Sequence, residues 1–213
     1  MSDLSLSHAL CDMRKAQRLV VAFNQRMLPI IECIASELNA NFYYWQSLYN
    51  KNSCRGATNP VKKRKWDFSP LHNASFLYLS DNAPSEHEVS PDSYLLAFHL
   101  ITDTAIDDAF IKENKPWNPI DITEPAEESR SLLRIYIYQP SEVKKQKEGW
   151  WKLYANNPWP ECNGEIMSLE QGGTAMGVEV DIAELVTQDE INKLIERVKD
   201  RFECQGYYKN NKG

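Results

Sequence analysis

The chain has 213 residues, 42% of them hydrophobic and 25% charged, with a formal net charge of −6. These values suit one globular domain with a substantial core and exclude a disordered or fibrous chain. Five cysteines, odd in number, scattered and never in a C-x-x-C pair, exclude a disulfide framework and a zinc ribbon and leave reduced, mostly buried thiols as the expectation.

The Met-Ser-Asp start has no basic region ahead of an apolar run. No apolar stretch approaches the ~18 residues that span a bilayer, so a soluble, cytoplasmic protein without membrane contact is expected. The modest total charge hides a segregation. Lys51, Arg55, Lys62, Lys63, Arg64 and Lys65 form a +6 block free of acids, whereas Asp81 to Glu128 sets twelve acidic residues against Lys112 and Lys115, a net −10. Two opposed fields of this kind act on a partner, on each other or across an oligomer.

In chain order, the first expected element is helical. Ala16, Val20, Phe23, Met27, Ile30, Ile31, Ile34 and Leu38 recur at spacings of three and four, with Arg14, Lys15, Arg18, Arg26 and Glu32 on the other face. Pro29 removes a hydrogen bond and crowds the preceding turn, which predicts a kink or two helices meeting near Met27 and Leu28. Asn39 and Asn41 are natural terminators.

Strand signals follow at 41–49, 75–80, 93–102 and 132–138, each rich in aromatic and branched residues and bounded by Asn, Asp, Pro or Ser. A further short strand is expected around 150–154. At 177–182, Val178, Val180 and Ile182 alternate with Glu179 and Asp181 as in a strand with one buried face, placed here at a sheet edge. Gly172 to Gly177 reads as a turn or hairpin loop. A phosphate cradle would need a helix after it, and a P-loop also a Lys-Ser/Thr pair.

Thr187-Gln188-Asp189-Glu190 is a capping box opening a helix with the stripe Ile191, Leu194, Ile195, Val198 and Phe202, ending near Gly206. The order predicts an α+β fold: an antiparallel sheet of about five or six strands covered by an N-terminal helical region and a C-terminal helix, both on one face. Residues 1–208 are read as a single domain, with long loops at 84–91 and 112–128, and 209–213 as a flexible tail.

No motif names a reaction. Asp103, Asp107 and Asp108, with Glu124, Glu127 and Glu128 nearby in sequence, are a candidate oxygen-rich site for Mg²⁺ or Ca²⁺, but they lack the spacing of a calcium loop, so solvated acids are the preferred reading and no metal or cofactor is assigned. His99 and Asp103 stand ~13 Å apart along a strand, too far to share an ion. His87, between Glu86 and Glu88, reads as an exposed loop residue. Pro91-Asp92 with Glu113-Asn114-Lys115 or Glu142-Val143-Lys144 spells the P-D…E-x-K set of some metal-dependent nucleases, yet neither tripeptide lies in a strand-like run. Ser141 to Lys144 spells S-x-x-K without the motifs that accompany it in serine acyl-enzymes.

Two binding surfaces compete. Lys51, Arg55, Lys62, Lys63, Arg64 and Lys65, with Trp66, could neutralise phosphates and stack a base, the way single-stranded nucleic acid is held. Against this, the rest of the chain is acidic and repels a polyanion beyond a Debye shell of about 8 to 10 Å. Trp117, Trp150, Trp151 and Trp159 lie in turn-like or proline-containing contexts, where an exposed indole acts as a hot spot for a protein partner. The preferred reading is a non-catalytic interaction or regulatory protein, binding a protein partner or itself through acidic loops and loop aromatics. Nucleic-acid or polyanion binding through 51–66 comes second, and a metal-dependent hydrolase or nuclease third.

Overall fold

The computed structural model describes residues 3–48, 73–107, 122–145, 149–170 and 172–204. The stripe of the N-terminal segment folds as one unbroken helix, α1 (Asp3–Glu37), with Pro29 inside it. The helix continues through the proline because Pro29 lies on the exposed side, where water can take the carbonyl that its missing N–H leaves free. Asn39 ends the helix in the left-handed conformation, at φ 52°, and turns the chain back into β1 (Ala40–Ser47).

The strands β2 (Ala74–Ser80), β4 (Leu95–Ile101), β5 (Leu132–Pro140), β7 (Met167–Ser168) and β8 (Gly173–Asp181) join β1 in a six-stranded antiparallel sheet of order β1-β2-β4-β5-β8-β7. The fold is α+β as expected from the sequence. β3 (Glu88–Val89) and β6 (Lys144–Lys145) pair separately, so the 84–91 stretch is partly ordered by a two-residue ladder. α2 (Gly149–Ala155) follows, and α3 (Gln188–Cys204) closes the described chain after a 3-10 turn at Ile182–Glu184.

The two helices with long apolar stripes cover the same sheet face. Met27, Ile30, Ile31, Ile34 and Leu38 of α1 and Ile191, Leu194, Ile195, Val198 and Phe202 of α3 pack on Phe76, Phe98, Leu100, Leu133, Ile135, Met176 and Val178. Polar ties fix them there. Arg26 donates to the carbonyls of Leu185 and Val186, and Lys199 reaches Glu37 at 2.9 Å. The capping box forms as its residues dictate: Glu190 accepts from the Thr187 N–H at 2.7 Å, and Thr187 Oγ1 accepts from the Glu190 N–H at 3.3 Å.

Local expectations fare differently from one another. Residues 150–154 are helical, because Trp150, Leu153 and Tyr154 stand at i, i+3 and i+4 and bury together against the second sheet face. The glycine run is a turn only at its start: Gly172, with positive φ, closes the hairpin between β7 and β8 by donating to the Leu169 carbonyl, and from Gly173 onward the run is already β8. β8 lies between β5 and the short β7, which pairs only with Thr174 and Ala175, so along 177–181 no described strand pairs with its outer side beyond an isolated bridge from Asn163 to Val178. α1 is also apolar enough over Leu6–Glu37 to cross a membrane by length and composition, which a search for an unbroken apolar run misses because Asn24, Gln25, Arg26 and Glu32 interrupt it. Its C-terminal half is a core helix, buried from Met27 onward.

Candidate functional site

Antiparallel register places one residue from each strand side by side, and here a polar set falls in one row. Gln46, Ser75, His99, Arg134 and Glu179 are paired in succession across β1, β2, β4, β5 and β8. Their neighbours Ala74, Leu100, Leu133 and Val180 point into the helix-covered core, so by strand alternation the row faces the other way, towards α2.

α2 lowers Tyr154 onto this row. Its hydroxyl donates to Ser75 Oγ at 3.0 Å and lies 2.8 Å from His99 Nε2. Nδ1 is buried without a hydrogen-bond partner. His99 is fully buried and boxed by Tyr136 at 4.7 Å and Trp159 at 4.4 Å between ring centroids. Burial, helped by the Arg134 charge, holds its pKa well below the usual imidazole value, so it is neutral at physiological pH.

Arg134 continues the row as a charge sandwich. Its Nε meets Glu179 at 2.8 Å and its Nη1 meets Asp107 at 2.8 Å. Burial works against its charge, but the two carboxylates outweigh that and push its pKa above an ordinary guanidinium. One step along the sheet, burial raises the Tyr136 hydroxyl, and the adjacent Cys162 thiol is pushed up to about 11, chiefly by burial, so it is no thiolate at neutral pH. Gly177 is required beside Tyr136, since a Cβ there would meet the ring at 2.8 Å.

The sequence candidates divide as follows. Asp103 Oδ1 accepts from the Ala105 N–H and caps the helical turn at 104–107, while Asp107, at the end of that turn, is held by Arg134. The two aspartates therefore serve separate partners; Asp108 lies outside the described residues. No cluster of three or more His, Cys, Asp or Glu side chains with metal-binding geometry occurs among the described residues. His99 bonds Tyr154 and not Asp103.

Lys51, Arg55, Lys62, Lys63, Arg64, Lys65, Trp66 and Trp117 all lie outside the described residues. Trp150 is fully buried, its indole N–H donating to the Ser85 carbonyl at 3.0 Å. Trp151 and Trp159 are half-buried against the second core cluster.

The large exposed aromatics are instead on β1, which sequence reasoning passed over. Phe42, Tyr44 and Trp45 are 53%, 46% and 40% exposed. β1 is the outermost strand of the sheet on its side, and no described strand pairs with its outer edge. The register slips between Phe42 and Tyr44, which makes Tyr43 an extra residue and puts aromatics on both faces of the edge. Phe42 packs edge-on against Tyr78 on the helix side, and Tyr44 against Trp151 on the α2 side. The available signal was the aromatic density of NFYYWQSLY, which reads equally well as an interior strand.

This is an antiparallel α+β protein with a partly buried polar row on the α2 side of its sheet and exposed aromatics on an outer strand whose far edge no described strand pairs with. The chain belongs to the PM0109 family, whose model matches residues 3–207. It is 26% identical over 211 residues to the uncharacterized protein PM0109 of Pasteurella multocida (strain Pm70), an alignment covering 94% of this chain and 96% of that protein. No solved structure matches it. Neither match assigns an activity, and the biochemical function is undetermined.

Proposed function

We propose that this chain is a non-catalytic protein-binding module that takes up an extended segment of a partner along β1. The observation that carries the reading is a strand edge that no described strand pairs with, together with Phe42, Tyr44 and Trp45, each at least 40% exposed. Folded proteins ordinarily blunt such edges with charge, proline or a covering element, because an unpaired row of N–H and C=O groups invites another strand. Here the eight-residue edge carries no charged side chain. Main-chain pairing would supply affinity, and aromatics above and below the sheet plane would select apolar side chains at alternate positions of the guest.

The acidic segment supports the same reading. Glu124, Glu127 and Glu128 are exposed, and the 122–131 stretch joins the sheet at the end where β1 finishes, through Thr104 and Arg130. A guest with an apolar extended stretch followed by basic residues fits both features.

The test is capture of a partner from source lysate by the intact protein, followed by affinity measurement with the purified partner. Phe42→Asp and Trp45→Lys should each weaken binding by about thirtyfold or more, the size of a hot-spot loss, with unchanged circular dichroism. Binding indifferent to both substitutions, or no partner at all, removes the proposal.

A further inference from the structure

The loop between Trp159 and β7 carries Asn163-Gly164, the single Asn-Gly step of the chain. An asparagine before glycine is where a polypeptide most readily attacks itself, because no Cβ shields the next backbone nitrogen from the side-chain amide carbon.

Three contacts bear on the reacting atoms. Asn163 Oδ1 accepts from the Glu165 N–H at 2.8 Å. The turn this closes contains both Cγ of Asn163 and the nitrogen of Gly164, so the side chain is already folded back in the sense that ring closure requires. Asn163 Nδ2 lies 3.2 Å from a carboxylate oxygen of Glu161 and 3.2 Å from one of Glu165. Gly164 has φ +81°, and the Arg201 guanidinium of α3 lies over it, with Nη1 2.5 Å from where a Cβ would stand. Asn163 is exposed, so water reaches it.

We infer that Asn163 is a self-modification site: its side chain closes onto Gly164 and becomes aspartate or isoaspartate, and the product releases the 161–166 loop from β8. The Gly164 nitrogen attacks Cγ and forms the N–Cγ bond. The Cγ–Nδ2 bond breaks, and the glycine N–H proton leaves with the departing ammonia. Water then opens the cyclic imide at either carbonyl, giving an Asp side chain on the normal main chain or an isoaspartate whose main chain runs through Cβ. Water is the sole co-reactant. Charge is arranged in the direction the step needs: negative charge developing on Oδ1 and on the Gly164 nitrogen meets the Glu165 N–H and Arg201, while positive charge gathering on the departing nitrogen meets two carboxylates.

The product does not fit the place its precursor held. Aspartate sets a third carboxylate between Glu161 and Glu165 and has no N–H to give to either. Isoaspartate also inserts a backbone carbon at the residue whose bridge to Val178 ties the loop to the outer side of β8. Release there uncovers the neighbouring Cys162, which is half-buried against the second core cluster. The change runs one way and needs no enzyme, so it marks the age of the molecule. It is independent of the β1 edge.

Peptide mapping of the intact protein held at about pH 8 tests the chemistry. The peptide carrying Asn163 should gain about 1 Da, at a rate within about tenfold of a synthetic peptide of residues 159–168. Asn82 and Asn192, exposed but followed by alanine and lysine, are internal references and should convert at least about tenfold more slowly. Asn163→Gln should keep its mass. Asn163→Asp should raise maleimide labelling of Cys162 by about fivefold over freshly prepared wild type. Asn163 retained while the synthetic peptide converts fully would show that the fold protects it and would overturn the inference. Equal labelling of Cys162 in Asn163→Asp and wild type would overturn it too, since the loop would then hold its place with the product in it.

Discussion

His99 is a histidine spent on packing, and the cost of that use is sensitivity to acid. Its imidazole sits between Tyr136, Tyr154 and Trp159, with Nε2 bonded and Nδ1 bare. Burial depresses the folded-state pKa well below the unfolded value of about 6.5, so below that pH the unfolded chain binds a proton that the folded chain refuses. The stability linked to His99 is therefore fully present above about pH 6.5 and is lost as pH falls from there towards the depressed folded value. Urea midpoints measured between pH 8 and pH 5 should decline on the acid side, and His99→Gln, though less stable at pH 8, should flatten that decline. An equal slope in both proteins would place the acid sensitivity elsewhere.

At the scale of elements, the Arg134 sandwich ties the helical turn at 104–107 to β5 and β8. The Asp107 side chain is 2% exposed, so its charge cannot turn to water when Arg134 is removed, whereas Arg134, 20% exposed, also holds Glu179. Arg134→Met leaves a buried carboxylate without its cation and should cost about 3–5 kcal/mol by urea denaturation. Adding Asp107→Leu should recover the part of that loss due to Asp107, because replacing both members of that buried pair by apolar groups is close to neutral, while Glu179, 27% exposed and 4.0 Å from Arg130, retains water and a second cation. Failure of the double variant to recover would mean that the salt bridge positions the turn in a way that packing cannot replace.

Such a tie was invisible in the sequence, where Asp107 was grouped with Asp103 and Asp108 as a candidate oxygen-rich site and Arg134 was the single interruption of LLRIYIY. Which residues share a row depends on register, and register is set by pairings that no local pattern displays. What could be read locally was read. The capping box at Thr187 to Glu190, the stripes of α1 and α3, and the strands at 75–80 and 132–138 each carry their own periodicity, so the α+β architecture was legible. The segment at 150–154 was misread because seven residues hold too few turns to distinguish a period of 3.6 from one of 2. The exposed edge was missed because an aromatic strand looks the same at the margin of a sheet as in its middle.

At the scale of the whole molecule, the described fold uses only part of the apolar stripe of α1, and the division falls near Phe23. On the C-terminal side the helix is held by Met27, Ile31, Ile34 and Leu38, by the Arg26 bonds to Leu185 and Val186, and by the Tyr78 hydroxyl donating to Glu32 at 2.8 Å. On the N-terminal side it touches little of the fold, so the sheet should not need it. Deleting residues 1–17 and measuring at concentrations too dilute for association should leave the urea midpoint within the equivalent of about 1 kcal/mol of the full chain, while helical ellipticity falls by the share of about 15 residues. The result follows from where apolar area is buried: the deleted residues contribute exposed surface, not core, and a helix end without tertiary contacts adds little to global stability. A truncated chain that unfolds, or that loses several kcal/mol, would show that the overhang is a structural part of the fold.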